Sequence, residues 1–320
     1  MDFPAYIDSS ILSAWRACKR KHFWSTLRMQ YPMGKSVHLL AGGAVAAGLE
    51  AARKRVFLDP NPLGVSHEAL LESAYLPFLR HWGDFDPPEK SYKTFVNTFA
   101  ALEHYLLQFP PATDSLQPYI RPDGSPAVEY KFAIPLDGLS HPVTGDPILF
   151  SGRFDMIGEL QTPGGKLICV DDEKTTGSLG FDWAQKWDLR GQFLGYVWAL
   201  RQQGIDCRHA CINGLAILQT KDECRRALVS YPDYMISRWE KQMRLDIEIM
   251  IDSWALYHQQ PQLLDAIYPY NFADSCESYG GCAFATLCTA RDPEPFLSNF
   301  VTYRFNPLDI QPVKETENAH

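Results

Sequence analysis

The feature that most constrains this chain is a point where four apolar residues, LICV at 167–170, run straight into four charged ones, Asp171, Asp172, Glu173 and Lys174. A short continuous apolar run reads as a strand buried on both faces. Side chains on a strand alternate, so Asp172 and Lys174 share one face while Asp171 and Glu173 share the other. Carboxylates and an ammonium at the end of a buried strand are costly unless they bind something. The segment before, 146–160, reads as a second strand carrying Asp155. If the two strands pair, Asp155 and Asp172 can share a divalent ion. The segment after, 182–203, reads as an amphipathic helix ended by Gly204, with Gln192 and Tyr196 one turn apart on one side.

The rest of the pattern sets the frame. Residues 9–30 read as a short helix rich in aromatic and basic residues, and a helix from about 42 to 57 packs closely through its Ala and Gly positions. Helical patterns continue over 65–83 and 90–109, and the Pro- and Asp-rich stretch 110–126 reads as a linker. Further strands are expected over 127–136, 208–218 and 225–230, and a long helix over 233–259. The expected fold is therefore α/β, a mixed central sheet flanked by helices, with an N-terminal helical region and a C-terminal cysteine-rich segment. The expected divisions are a helical region over 1–115, a core over 116–260, a cysteine-rich segment over 261–300 and a tail over 301–320, whose end VKETENAH (313–320) is expected to be disordered.

A net charge of −8 argues against a surface coated in basic residues, yet a groove can be locally positive on an acidic protein. No apolar run approaches the ~18 residues that span a bilayer. The opening MDFPAYIDSS lacks the basic and apolar regions of a signal peptide. The expectation is a cytoplasmic protein without membrane association, whose eight cysteines are thiols or metal ligands rather than disulfides.

Asp155, Asp172 and Lys174 are the residue types that phosphodiester hydrolysis needs. Hard oxygen ligands hold Mg²⁺ or Mn²⁺, which makes a water nucleophilic, while a cation offsets charge growing on the phosphate. The bland alternative is a solvated turn with an internal salt bridge; Asp155 upstream and the helix downstream weigh against it. Near the C-terminus, Cys276, Cys282 and Cys288 recur at even spacing, and Cys18 is available from far away in SAWRACKRKHFW. Four thiolates suit zinc or an iron–sulfur cluster, and five-residue gaps fit the usual zinc spacing poorly. Cys207 and Cys211 flank His209, a second candidate metal site that reads better as a buried strand, and Cys169 and Cys224 read as core. Lys19, Arg20 and Lys21 read either as phosphate contacts or as a solvated helix face.

The order of these residues resembles the RecB-like branch of the PD-(D/E)xK nuclease superfamily. The match runs from GRFD, ending at Asp155, through the D-x-K triplet Asp172-Glu173-Lys174, to the Q-x-x-x-Y of Gln192 and Tyr196. Glu129 matches an acidic residue often found upstream. The resemblance implies a restriction-endonuclease-like core and metal-dependent cutting of DNA. It further implies a 4Fe–4S cluster held by Cys18, Cys276, Cys282 and Cys288, as in the CRISPR-adaptation nucleases and a bacterial helicase–nuclease subunit. The implied activity is that of an exonuclease on single-stranded DNA or DNA ends, in repair, recombination, phage DNA processing or CRISPR adaptation. Asp155 and Asp172, with Glu129, are the implied metal ligands; Lys174 stabilises the transition state, and Gln192 and Tyr196 orient the site. One departure stands out. Active members usually carry G-x-x-H-x-x-L on the N-terminal helix, and Ala46 occupies the histidine position here, with Glu50 one turn further on as a substitute. The rival expectation is a catalytically impaired iron–sulfur DNA-binding module; a redox or sensor protein lacks any flavin or nicotinamide motif. With no P-loop in the sequence, an unwinding motor would be a separate helicase or recombination protein.

Overall fold

The computed structural model describes residues 1–303 apart from 35, 219–221, 273–275 and 278–280, together with 306 and 308. The strands in order are β1 (Tyr6–Ile7), β2 (Gln30–Pro32), β3 (Leu116–Pro118), β4 (Val128–Ser140), β5 (Pro147–Thr162), β6 (Gly165–Thr176), β7 (His209–Ala216), β8 (Glu223–Ser230) and β9 (Phe300–Thr302). The α-helices are α1 (Ser9–Ala17), α2 (Lys19–His22), α3 (Val37–Phe57), α4 (His67–Trp82), α5 (Phe95–Gln108), α6 (Gly191–Gln202), α7 (Asp233–Gln259), α8 (Leu264–Ile267) and α9 (Ala285–Thr289). Seven strands form one mixed sheet in the order β1-β5-β6-β7-β8, with β3 and β4 also pairing with β5. The expected α/β architecture is the one observed. Antiparallel β5–β6 and β7–β8 flank a parallel β6–β7 pair, whose crossover carries α6. Among the described residues, no helix is long and apolar enough to cross a membrane.

The chain divides into two compact units, each drawing on separated stretches of sequence. One comprises Lys35–Tyr130 and Phe154–Ile236. Here α3, α4 and α5 bury Val45, Leu49, Phe78, Trp82, Leu102 and Tyr105 in one cluster with Leu215 and Cys224 of the sheet. Small residues on α3 permit this. A Cβ on Gly48 would come within 2.6 Å of the Leu102 side chain, so only glycine lets the helices approach this closely. On the opposite sheet face α6 buries Phe193, Val197, Trp198 and Leu200.

The other unit comprises Met1–Gly34, Lys131–Arg153 and the described residues from Ser237 onward. Its short β1 pairs in parallel with the start of β5, Ile7 opposite Phe150. Asp8 caps α1 by accepting from the Ile11 amide at 2.7 Å. An aromatic cluster of Phe23, Trp24, Tyr257 and Tyr268 packs in T-shaped and tilted pairs. β2 and β9 form a separate two-stranded ladder.

Two expectations about helices need correcting. The helix read over 9–30 is broken at Cys18, whose extended backbone (φ −166°, ψ 119°) ends α1 before α2 and a π-turn over Phe23–Leu27 resume. The helix read from 182 begins only at Gly191. Before it, Leu179 and Trp183 turn inward over Gly214, where a Cβ would come within 2.5 Å of both. Arg225 donates to the carbonyls of Leu179 and Gly180 at 3.3 and 3.1 Å. These anchors hold a loop where periodicity alone favours a helix. The stretch expected to be a linker also contains β3, and the tail beyond 308 lies outside the described residues.

Candidate active site

The candidate catalytic residues converge where the β5–β6 ladder stops. Its last registered pair is Met156 opposite Asp171, and Asp155 and Asp172 follow on the opposite face. The Glu173 backbone N–H, beyond the ladder, is taken instead by Asp155 Oδ2 at 3.3 Å. Lys174 forms an ion pair with Asp172 Oδ1. Gln192, in the first turn of α6, donates to Asp172 Oδ2 at 3.1 Å. One carboxylate thus receives a cation on one oxygen and an amide on the other, from two elements that the crossover brings together. Tyr196 lies one turn along α6, its ring edge-on to Phe154 at 5.0 Å, beside the residue that carries Asp155 into the site.

The electrostatics show an excess of buried negative charge. Burial first, then Asp172 and Glu173, push the Asp155 carboxyl well above the usual range; Lys174 opposes them and Glu129 adds to them. Asp172 is also raised, by burial, with Lys174 countering and Glu173 reinforcing. Burial works against a charged Lys174, but Asp172 and then Asp155 outweigh it and keep the ammonium above its ordinary value. Glu129, in β4, is held at φ +52°, a conformation that non-glycine residues seldom adopt. Such strain clusters at functional sites. Among the described residues, no three His, Cys, Asp or Glu side chains already stand at metal-ligand spacing. The fit of Asp155, Asp172 and Glu129 to a hard divalent ion is therefore one of donor type and mutually repelling carboxylates, not of preset distances.

Sequence reasoning missed Arg190. Its charge acts on both Asp172 and Lys174, and it stands exposed just before α6. Its signal was adjacency, a cation two residues ahead of Gln192. Also missed was a closed network on the other face of β6. Arg53 of α3 donates to Asp171 Oδ2 at 2.7 Å and to both oxygens of Glu173. Asn213 donates to Asp171 Oδ1 at 2.5 Å and accepts from Arg226 Nε at 2.8 Å. Arg226 grips Asp114 with two bonds, 2.9 and 2.6 Å. Buried Asp171 and Glu173 demand a cation, and a lone arginine on a helix of small residues was the available signal. Glu50 is ion-paired with Lys54 one turn along α3, and Ala46 is half-buried.

In the other unit, Cys282, Cys18 and Cys276 all act on Cys288, although, among the described residues, the four thiols do not stand at metal-ligand spacing. Burial first, then Cys282, Cys18 and Cys276, push the Cys288 thiol up to about 11, with Arg20 opposing. Asn271 donates to the carbonyl of Ala17, next to Cys18, at 2.6 Å, and its own carbonyl accepts from Cys276 Sγ at 3.1 Å. Four thiols gathered this way suit a thiophilic metal centre in donor type. Residues 278–280, between Cys276 and Cys282, lie outside the described residues. Within the basic triplet Arg20 departs from the solvated-face reading: it is 2% exposed, ion-paired with Asp265 and 4.3 Å over the Tyr270 ring, whereas Lys21 is exposed and Lys19 lies 3.8 Å over the Trp15 ring. Cys207, just before β7, and Cys211, within it, are both buried, and His209 bonds Ser230 Oγ at 2.9 Å.

No family model matches this chain, and no curated protein matches it. A solved structure, that of SSO0001, is similar over 88% of this chain and 96% of its own, with 11% identity and a TM-score of 0.30.

Proposed function

We propose that this chain is a metal-dependent deoxyribonuclease, an exonuclease acting on single-stranded DNA or DNA ends, built on a RecB-like PD-(D/E)xK core with a four-cysteine 4Fe–4S cluster. The observation that carries the reading is the single constellation of Asp155, Asp172, Lys174 and Gln192 at the open end of the β5–β6 ladder. Asp155 and Asp172, with Glu129, would hold Mg²⁺ or Mn²⁺. When bound there, such an ion supplies Lewis acidity and an activated water. Gln192 fixes the rotamer of Asp172. Lys174, kept protonated by its two carboxylate neighbours, places positive charge where the phosphate gains negative charge. Arg190, exposed at the edge of the site, adds a second cation for the strand. Cys18, Cys276, Cys282 and Cys288 would hold the cluster in the other unit, a structural tie between distant parts of the chain.

A second reading follows from one observation, the absence of a histidine at Ala46 with Glu50 committed to Lys54. It is a DNA-binding module that keeps the cluster but has lost turnover. The test is cleavage of end-labelled single-stranded and duplex DNA with Mn²⁺ or Mg²⁺, using anaerobically purified protein beside Lys174→Ala. Cleavage by the wild type alone supports the nuclease. Binding of DNA and iron without cleavage by either protein supports the module.

A further inference from the structure

The loop between β6 and α6, residues 177–190, starts three residues after Lys174 closes the catalytic triplet and ends two before Gln192. It presents Phe181 at 92% exposure and Leu189 at 81%. Apolar side chains this exposed normally mark slack in a loop, but this loop is clamped. Leu179 and Trp183, on either side of Phe181, are 7% and 2% exposed. The Trp183 amide donates to the Gly180 carbonyl at 3.0 Å, closing a tight turn around Phe181. Arg225 holds the carbonyls of Leu179 and Gly180 from β8. Further along, Tyr231 donates to the Trp187 carbonyl at 2.6 Å, and the Trp187 ring packs against Trp183 and Phe193. With inward anchors at 179, 183 and 187, Phe181 is held outward by the structure around it.

The surrounding charge points to an occupant. Lys186, Arg190 and Arg225 have no carboxylate within ion-pairing distance among the described residues, and Arg190 already acts on the Asp172–Lys174 pair. Asp182 and Asp188 lie on the same loop, so the segment is not a general basic patch. Its usable cations are Arg190, at the site end, and Arg225, beneath the turn. A protein interface calls for a contiguous apolar patch of several hundred Å². Phe181 lies between Gly180 and Asp182, and the other exposed apolar side chain of this loop, Leu189, is eight residues further on and aliphatic, so one aromatic face is offered. One flat ring on a turn held by the Arg225 guanidinium, a cation chemically suited to a phosphate, matches one unpaired nucleobase, because stacking on an aromatic side chain is independent of sequence and needs the base out of its duplex.

We propose that Phe181 is a stacking platform for one unpaired nucleobase adjacent to the scissile phosphate, so that the β6–α6 loop makes the site selective for single-stranded DNA. This rests on the nuclease reading above and names its substrate. The contact is read by binding, not by cleavage. Full-length wild type, Phe181→Ala and Phe181→Trp are titrated in Ca²⁺ with a fluorescent single-stranded oligonucleotide, with the same strand carrying one abasic position moved stepwise from each end, and with blunt duplex. Losing one base–aromatic stack weakens binding about 5- to 150-fold. The expected result is a loss of about tenfold for Phe181→Ala on the single strand, restored by Phe181→Trp, with little change on duplex. At one abasic position the wild type should lose the same factor and Phe181→Ala should lose nothing more. Equal binding of single strands by Phe181→Ala and wild type overturns the platform while leaving the nuclease reading standing on Lys174→Ala. So does a loss of the same size on blunt duplex, which points to a general contact. If the wild type binds no DNA in any form, both readings fall.

Discussion

The two faces of β6 are made of alternate residues of one strand and have opposite fates. On one face Asp171 and Glu173 are closed off by Arg53, Asn213 and the Arg226–Asp114 pair, and every carboxylate finds a cation or an amide. On the other, Asp172 is matched by Lys174 and Gln192, but Asp155 receives a 3.3 Å amide hydrogen bond, and burial with the like charges of Asp172 and Glu173 outweighs Lys174. Burial raises the Asp171 carboxyl as it raises that of Asp155, so the difference lies in the hydrogen-bonded partners each face supplies. The closed face is a structural device, and the open face keeps a deficit of positive charge that a substrate-linked cation would fill.

The largest expected effect tests the closed face. Arg53→Ala leaves Asp171 and Glu173 buried without their cation, and should lower the free energy of unfolding by about 3–5 kcal/mol in a denaturant titration. A loss below about 1 kcal/mol would mean that the network is not closed as described. Next comes the open face. Lys174→Ala should reduce cleavage about 10²- to 10³-fold with a smaller loss of stability than Arg53→Ala, because Lys174 is partly exposed and Asp172 keeps its Gln192 hydrogen bond. An equal loss of stability would make Lys174 structural and erase the contrast between the faces.

Asp155→Asn should abolish cleavage yet stabilise the chelator-treated protein by about 0.5–2 kcal/mol, since it removes an uncompensated buried charge. The sign with pH follows from the raised carboxyl. The folded state binds its proton more tightly than the unfolded one, so this group's contribution to stability falls as pH rises above the ordinary carboxylate range. The advantage of Asp155→Asn should therefore be larger at about pH 8 than at about pH 5. Thermal melts at the two pH values check this, and an advantage that grows toward low pH would sink it. The smallest effect concerns α3. Glu50→Ala should cost only the exposed pair with Lys54, about 0.3–0.5 kcal/mol, and leave cleavage at the wild-type rate. A large loss of cleavage would instead make Glu50 the replacement for the histidine missing at Ala46.

The open face was the more legible in the sequence. Asp155, Asp172 and Lys174 are set by strand alternation, and Gln192 by its one-turn spacing from Tyr196 on the next helix, because short-range geometry decides which way those side chains point. The closed face was not legible. Arg53 lies 118 residues from Asp171 and Asp114 lies 112 from Arg226, and no local pattern announces such pairings. Arg20 was misread for the same reason, since its partner Asp265 is 245 residues away. The loop over 177–190 failed differently: its helical periodicity is real, but Leu179, Trp183 and Gly214 pack too tightly for a helix to begin there.

By itself, the sequence determined the alternation of charged residues on β6, the sheet-and-helix order and the grouping of cysteines toward the ends of the chain. These follow from side-chain periodicity and local backbone preference, which act over a few residues. Only the tertiary structure decided which carboxylates are neutralised and which remain short of positive charge, and which way Phe181 faces. Those outcomes depend on contacts between residues far apart in the chain, and on whether a neighbouring element leaves room for them.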